Sequence, residues 1–215
     1  TTVQTDSNLR QQSVTDAGGN ATLYAYDGNG FPSSIQLPSG LTTSATYDAS
    51  GNILTSTDGA GGVQRIVYDA NGNPTSVSDQ RATGPTDLSF ASTMTWDGPH
   101  HLQLTTTAPA TAGVPLSVTS KTYTIGTEVA VGGGVMPPFM PRTETTPTGE
   151  TTTYSYDSKG NLRRLVAPSG LTTTYTYDEL GRVLTATDVG DSFPAGVTRS
   201  FQYDAVGHVV KEWSP

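Results

Sequence analysis

A tyrosine–aspartate pair recurs along this chain at Tyr26-Asp27, Tyr47-Asp48, Tyr68-Asp69, Tyr156-Asp157, Tyr177-Asp178 and Tyr203-Asp204. With 10 Tyr and 14 Asp in 215 residues, chance would give about 0.7 such pairs, so the six present are a repeat. Each is followed by glycine three residues after the aspartate, at Gly30, Gly51, Gly72, Gly160, Gly181 and Gly207. The regular spacing is 21 residues, from Tyr26 to Tyr47 to Tyr68 and again from Tyr156 to Tyr177. Trp96-Asp97 reads as a degenerate copy, Tyr123 as one that has lost its aspartate, and Thr5-Asp6 as a truncated one.

A repeat this short is a supersecondary unit that must stack on its neighbours to bury anything. Ahead of each aspartate, larger residues alternate with small ones, as in Tyr24/Tyr26, Ala45/Tyr47, Ile66/Tyr68, Met94/Trp96, Tyr154/Tyr156, Tyr175/Tyr177 and Phe201/Tyr203. Period two is the signature of a strand with one distinct face. Each unit carries two turn signals. One is D-x-x-G, where the aspartate accepts a backbone N–H two residues on and the glycine supplies positive φ. The other is P-S-G at Pro38–Gly40 and Pro168–Gly170, or D-G-A-G-G from Asp58 to Gly62. The tyrosine ends the incoming strand and is expected to pack its ring inward. The pattern predicts an all-β fold of antiparallel β-hairpins, about 21 residues each, joined as a twisting meander.

Composition agrees. The chain holds 37 Thr and 24 Gly, and only 14% of its residues are charged; Thr suits a half-exposed pleated surface and Gly suits tight turns. The net charge of −8, with 11 scattered basic residues, speaks against nucleic acid as a partner. The absence of Cys excludes disulfides and thiolate chemistry. No apolar run reaches 18 residues, so no membrane insertion by this segment is expected.

The signature YDxxGxL, with GLTTSATYD and GLTTTYTYD as companions, resembles the RHS/YD-repeat family, and the resemblance covers about residues 5–215 with a weaker middle. That family includes bacterial rearrangement-hotspot toxins, the cocoon component of insecticidal ABC toxin complexes and animal teneurins. The resemblance implies a ribbon coiling as a spiral into a hollow β-shell or barrel, within a larger secreted or cell-surface bacterial protein. It also implies a scaffold rather than an enzyme, the partners being neighbouring repeats of the same parent chain and either an enclosed C-terminal toxin domain or other copies of the chain. Alternatives are a self-assembling surface filament or adhesin, and a carbohydrate-binding cell-contact module. No D-P-x-G-L self-cleavage string occurs.

The organisation expected is one continuous repeat domain, with regular hairpins over 1–84 and 151–215. Between them, 85–150 holds degenerate repeats with Pro/Gly/Thr-rich loops, TTTAPATAGVP and VGGGVMPPFMP among them. Loop drift explains that stretch, with a binding loop around Met136–Met140 as the sharper reading. The motif residues are read as structural: Tyr26, Asp27, Gly30, Tyr47, Asp48, Gly51, Tyr68, Asp69, Gly72, Trp96, Asp97, Tyr123, Tyr156, Asp157, Gly160, Tyr177, Asp178, Gly181, Tyr203, Asp204 and Gly207. No catalytic, cofactor or metal residue is assigned. A calcium ladder of the aspartates lacks the glycine-rich nonapeptide that builds one, and the cap role explains every copy. His100 and His101 are adjacent and face opposite ways on a strand; His208 stands where other copies have Asn. Glu128, Glu144 and Glu150 form no carboxylate pair that spacing supports. Asn20-Ala21-Thr22 matches a glycosylation sequon, relevant only in a eukaryotic secretory pathway.

Overall fold

The computed structural model describes residues 1–84, 86–109 and 116–214. Among them there is no α-helix, only a single 3-10 turn at Leu88–Phe90. The chain divides into two compact units, Thr1–His101 with Thr106–Ser117, and Leu102–Thr105 with Val118–Pro215.

The first unit carries β1 (Thr2–Thr5), β2 (Gln11–Thr15), β3 (Ala21–Tyr26), β4 (Pro32–Gln36), β5 (Thr42–Tyr47), β6 (Ile53–Thr57), β7 (Val63–Tyr68), β8 (Pro74–Ser78) and β9 (Ala91–Trp96). Each pairs antiparallel with the next along the chain. The residues of β10 (Gln103–Thr107) are shared out between the units. The second unit carries β11 (Val118–Tyr123), β12 (Pro141–Thr145), β13 (Thr151–Tyr156), β14 (Leu162–Val166), β15 (Thr172–Tyr177), β16 (Val183–Gly190), β17 (Phe193–Tyr203) and β18 (Val209–Trp213), again paired in chain order. Both units are thus all-β antiparallel meanders of hairpins.

The register separates two faces. In the first unit one face runs Tyr24↔Ile35↔Thr43 and Ile66↔Val77↔Ser92. The other runs Ala25↔Ser34↔Ser44↔Thr57, small throughout and hydroxyl-bearing after Ala25. In the second unit the polar face is a threonine array, Thr174↔Thr187↔Thr198, flanked by Arg164, with Thr143↔Thr153 beside it. Facing threonines bond across the strands: Thr46–Thr55 at 2.7 Å, Thr122–Thr143 at 2.6 Å, Thr176–Thr185 at 2.6 Å and Thr187–Thr198 at 2.8 Å. Such cross-strand pairs are a direct source of sheet stability.

Apolar burial is slight. Among the described residues the buried apolar side chains are Ala82, Ala91, Ala130, Tyr156 and Ala186. The chain exposes 13054 Å², against roughly 9,400 Å² for a compact monomer of this mass. Hydrogen bonding and neighbour-to-neighbour packing therefore carry more of the structure than a central core does.

After Tyr123 the backbone makes a small excursion in which Val129 and Val135 form an isolated bridge. A tight turn closes it, Gly133 N–H donating to the Ala130 carbonyl at 3.1 Å. The Val131 N–H then reaches the Tyr156 carbonyl at 2.9 Å, tying the excursion to the next hairpin. In the TTTAPATAGVP loop, residues 110–115 lie outside the described residues.

Candidate functional site: the tyrosine–aspartate edge

The repeat motif lies where an incoming strand turns into an outgoing one. Around Asp27 the turn is closed by Gly30 N–H to the Asp27 carbonyl at 3.1 Å and Asp27 N–H to the Phe31 carbonyl at 2.9 Å. The Asp27 Oδ1 accepts both the Asn29 and the Phe31 N–H, each at 2.9 Å. The sequence pattern accounts for the first of these acceptances; the second, four residues on, holds the start of the exit strand. Asp6, Asp48, Asp69, Asp157, Asp178 and Asp204 repeat the same double acceptance. Asp16 and Asp58 do so at the turns of the opposite edge. The register slips by one residue in every described hairpin of this kind, between Ala25 and Tyr26 in the first regular copy. Such a bulge raises the local twist.

The second carboxylate oxygen reaches the side chain after the turn. Asn52, Asn73 and Asn161 donate to Asp48, Asp69 and Asp157 at 2.8, 3.0 and 3.0 Å. Arg10 and Arg182 donate to Asp6 and Asp178 at 2.7 and 2.6 Å. These bonds hold the acids low. The Asn side chain is the chief cause for Asp16, Asp48 and Asp69, and the following backbone N–H for Asp6, Asp178 and Asp204. For Asp157 burial is the largest single influence and pushes upward, but the bonds from Asn161 and Lys159 together with the Arg163 charge outweigh it and the net direction is down.

The tyrosines do something the sequence pattern did not announce. Each ring tip donates to a backbone carbonyl of the preceding exit strand: Tyr26 to Gln11 at 3.0 Å, Tyr47 to Pro32 at 2.9 Å, Tyr68 to Ile53 at 3.1 Å. Tyr123 donates to Gln103 at 2.8 Å, Tyr156 to Pro141 at 2.7 Å, Tyr177 to Leu162 at 2.6 Å and Tyr203 to Val183 at 2.8 Å. Trp96 does the same with its indole N–H, to Pro74 at 2.7 Å. The β4–β5 ladder begins at Ser34, two residues beyond Pro32, so the ring spans an opening the backbone leaves between hairpins. Only Tyr156 is buried; the other ring-tip donors are half-buried, less enclosed than rings packed inward would be. A signal was available: all eight positions hold a ring with a polar hydrogen, although the chain contains 5 Phe. The acceptor also lies 15 residues back in every regular copy.

The residue after the turn covers the next ring. Arg10 sits 4.6 Å over Tyr26, Arg182 sits 4.7 Å over Tyr203, and Phe31 lies 5.1 Å from Tyr47. In the copy lacking aspartate, the fully buried Thr124 replaces it. Its hydroxyl donates to the Pro137 carbonyl at 2.5 Å and accepts the Met140 N–H at 3.0 Å. Glu128 turns inward, accepting N–H groups of Ile125, Gly126 and Thr127 at 3.0–3.2 Å. Glu144 pairs with Lys121 at 3.4 Å and Glu150 takes the Thr148 hydroxyl at 3.1 Å, so the three glutamates serve separate turns and strands. His100 Nδ1 lies 2.7 Å from Asp97, His101 Nδ1 lies 2.5 Å from Asn73 Oδ1, and His208 flanks the last turn, 3.1 Å from Asp204.

A groove of about 550 Å³ near this edge is lined by Asp48, Leu54, Arg65, Tyr68 and Asp69 among others. Both carboxylates are engaged in their turns, and Arg65 donates to the Ala82 carbonyl at 2.7 Å. Among the described residues, no group of three or more His, Asp and Glu side chains is placed to hold a metal ion.

The RHS Repeat family model matches residues 6–43, 47–86 and 156–192, together more than half of the chain. No curated protein matches. Among solved structures, a TcdB2-TccC3-Cdc42 crystal structure is 16% identical with a TM-score of 0.37, over 99% of this chain and 14% of that one. A Tc holotoxin pore of Photorhabdus luminescens is 16% identical with a TM-score of 0.28, over 95% of this chain and 14% of that one. A porin-like protein from Bacteroides uniformis is 14% identical with a TM-score of 0.32, over 99% and 86%. The chain thus spans about 14% of the length of the toxin chains it matches.

Proposed function

The chain belongs to the RHS repeat family, and from that premise we propose that it forms a stretch of wall in a shell that encloses or delivers a toxin, within a longer secreted or cell-surface bacterial protein. The repeats are a structural scaffold, and the motif residues act in it as turn caps, hinges and ring anchors. The observation that carries this reading is the ring-tip bond. Each hairpin ends in a donor for the hairpin before it and offers a carbonyl to the hairpin after it, so the unit propagates by one rule. A wall needs that property; a catalyst does not. The thin distribution of buried apolar residues suits a layer whose stability comes from successive neighbours. The partners on this reading are adjacent repeats of the same polypeptide and the enclosed toxin.

The test is protease protection in the full-length parent protein. The region following the repeats is expected to resist digestion while the repeats are intact, and to become sensitive once the wall is opened by Tyr→Phe substitutions at several ring anchors. A parent protein with no further domain, or one whose further domain is cut equally fast in both forms, would rule the shell out.

A further inference from the structure

The excursion over residues 124–141 turns apolar side chains outward. Ile125 is 73% exposed and Val129 78%, and Val131, Val135 and Phe139 are exposed as well. Val129 and Val135 are partners in the isolated bridge, so their side chains share one side of it. Phe139 holds φ +67, a conformation that a bulky side chain adopts at a cost, and its N–H on the Thr124 carbonyl at 2.7 Å keeps it there. A Cβ added to Gly160 would touch Pro137 and Met140, and one added to Gly134 would touch Ser158, so the excursion rests on the Asp157 turn. No bare charge accompanies these side chains. Glu128 is the only charged residue from 124 to 141; its carboxylate is spent on three N–H groups of its own loop, with Arg142 at 3.7 Å. Beyond those three, the N–H groups of Ala130, Val131, Gly133, Met136, Phe139 and Met140 donate to protein acceptors.

A protein partner meets about one hydrogen bond per 100–200 Å² and a polar rim, but most of the donors here are already spent. A lipid interface asks the opposite: outward apolar side chains, no bare charge, and backbone groups paired within the chain. We propose that the excursion is a membrane-contact knob that seats Ile125, Val129, Val135 and Phe139 in the boundary between headgroups and acyl chains of an electrically neutral bilayer. The net charge of −8 gives the chain no attraction to anionic lipid. Contact of this kind lies on the bilayer and does not span it. It goes beyond the wall built by the repeats and does not depend on it.

The experiment mixes the full 215-residue chain with phosphatidylcholine vesicles and reads the fraction that sediments with them. The chain is expected to bind, equally at low and high salt. Val129→Ser with Val135→Ser is expected to weaken binding about tenfold, the worth of seating part of two valine side chains. Val209→Ser with Val210→Ser alters valines exposed by 52% and 59% elsewhere in the same unit and is expected to leave binding unchanged. Hydrogen exchange of the Val131 amide, bonded to the Tyr156 carbonyl, reports whether the excursion stays folded. If that exchange speeds up in the first double variant, Ile125→Ser carries the test, with a loss of about fivefold expected. No binding, equal loss in the two double variants, or a folded excursion variant that binds as well as the unsubstituted chain would overturn the proposal. Binding that needs phosphatidylserine and fades with salt would do the same. So would self-association without vesicles that the Val129 and Val135 substitutions abolish, because a second copy would then cover the knob.

Discussion

Replacing Tyr156 by phenylalanine keeps the ring and removes only its hydroxyl, which donates to the Pro141 carbonyl at 2.7 Å. Tyr156 is 6% exposed, so its hydroxyl is shielded although Pro141 itself lies at the surface, and the bond between them is part-buried. Leaving a shielded acceptor unpaired costs about 1–3 kcal/mol. Tyr47→Phe removes the equivalent bond, to Pro32 at 2.9 Å, at a half-buried ring whose hydroxyl bond lies open to water, which replaces the donor; its cost is about 0.5–1.5 kcal/mol. Repeat ribbons open locally, so a single melting temperature would average the effect away. Site-resolved hydrogen exchange reads it directly. Tyr156→Phe is expected to speed exchange of the β12 and β13 amides by about tenfold or more, a factor of ten being about 1.4 kcal/mol. Tyr47→Phe is expected to speed exchange in β4 and β5 severalfold. If the two variants matched the unsubstituted protein, or if the half-buried site lost more than the buried one, the ring tips would not be what couples neighbouring hairpins.

Gly51→Ala is expected to destabilise the β5–β6 hairpin by about 1–2 kcal/mol through the left-handed conformation alone. Gly51 has φ +88 and an added Cβ would lie 2.9 Å from the Phe31 ring, so local exchange in both strands should rise. Thr124→Val keeps the volume but strips partners from the Pro137 carbonyl and the Met140 N–H; a loss of about 1–3 kcal/mol is expected, read as faster exchange over residues 124–140. Acid should loosen the turns. The acids at Asp6, Asp48, Asp69, Asp178 and Asp204 lie below the ordinary value, and Thr83 and Ser89 hold Asp87 at about 2. Their contribution is present above about pH 4 and is lost as pH falls through the lowered values, so circular dichroism should change below about pH 4 and stay flat from about 5 to 8. Alkali should loosen the ring anchors. Burial raises the phenols of Tyr68, Tyr156 and Tyr177, so their contribution holds below about pH 10 and is lost as pH climbs through the raised values, visible as phenolate absorbance rising together with strand loss.

The hairpin architecture was legible because it is written in local chemistry. D-x-x-G specifies a turn, alternation specifies a face, and 21-residue spacing specifies a return to the same place in the pattern. The antiparallel pairings of β3 through β8 and of β13 through β16 follow from those signals. Two features were not legible. The ring-tip bonds join residues of different repeats, and nothing in a turn motif says which carbonyl a hydroxyl will meet; only the restriction to Tyr and Trp at those positions hints at a donor. The ordered excursion after Tyr123 was hidden because its supports are backbone groups. The Val131 N–H on the Tyr156 carbonyl and the Phe139 N–H on the Thr124 carbonyl leave no mark in composition, which there reads only as Pro, Gly and small apolar residues.

The ring-tip bonds also explain how the repeat tolerates irregular spacing. In the regular copies donor and acceptor lie 15 residues apart, yet the separation is 22 for Trp96 and Pro74, and 20 for both Tyr123 with Gln103 and Tyr203 with Val183. The added residues fall at the edge opposite the tyrosines. There they enlarge the connection between Ser78 and Ala91, lengthen β16 and β17, or fall between β10 and β11. The ring selects a carbonyl by its place beside the bulge, not by chain distance. A bulge on one edge fixes that place, and the other edge is free to vary. Insertions there cost loop entropy that grows only slowly with length, whereas an insertion between the aspartate and the fifth residue after it would move the acceptor. The His100–His101 turn is the instructive exception. One extra residue places Gln103, not the fifth residue after Asp97, under Tyr123, and His101 takes the positive φ of +57 that glycine holds in the regular copies. The anchor survives because the extra residue is absorbed in the turn before the strand begins, and the carbonyl presented to the ring is still that of the first residue of β10.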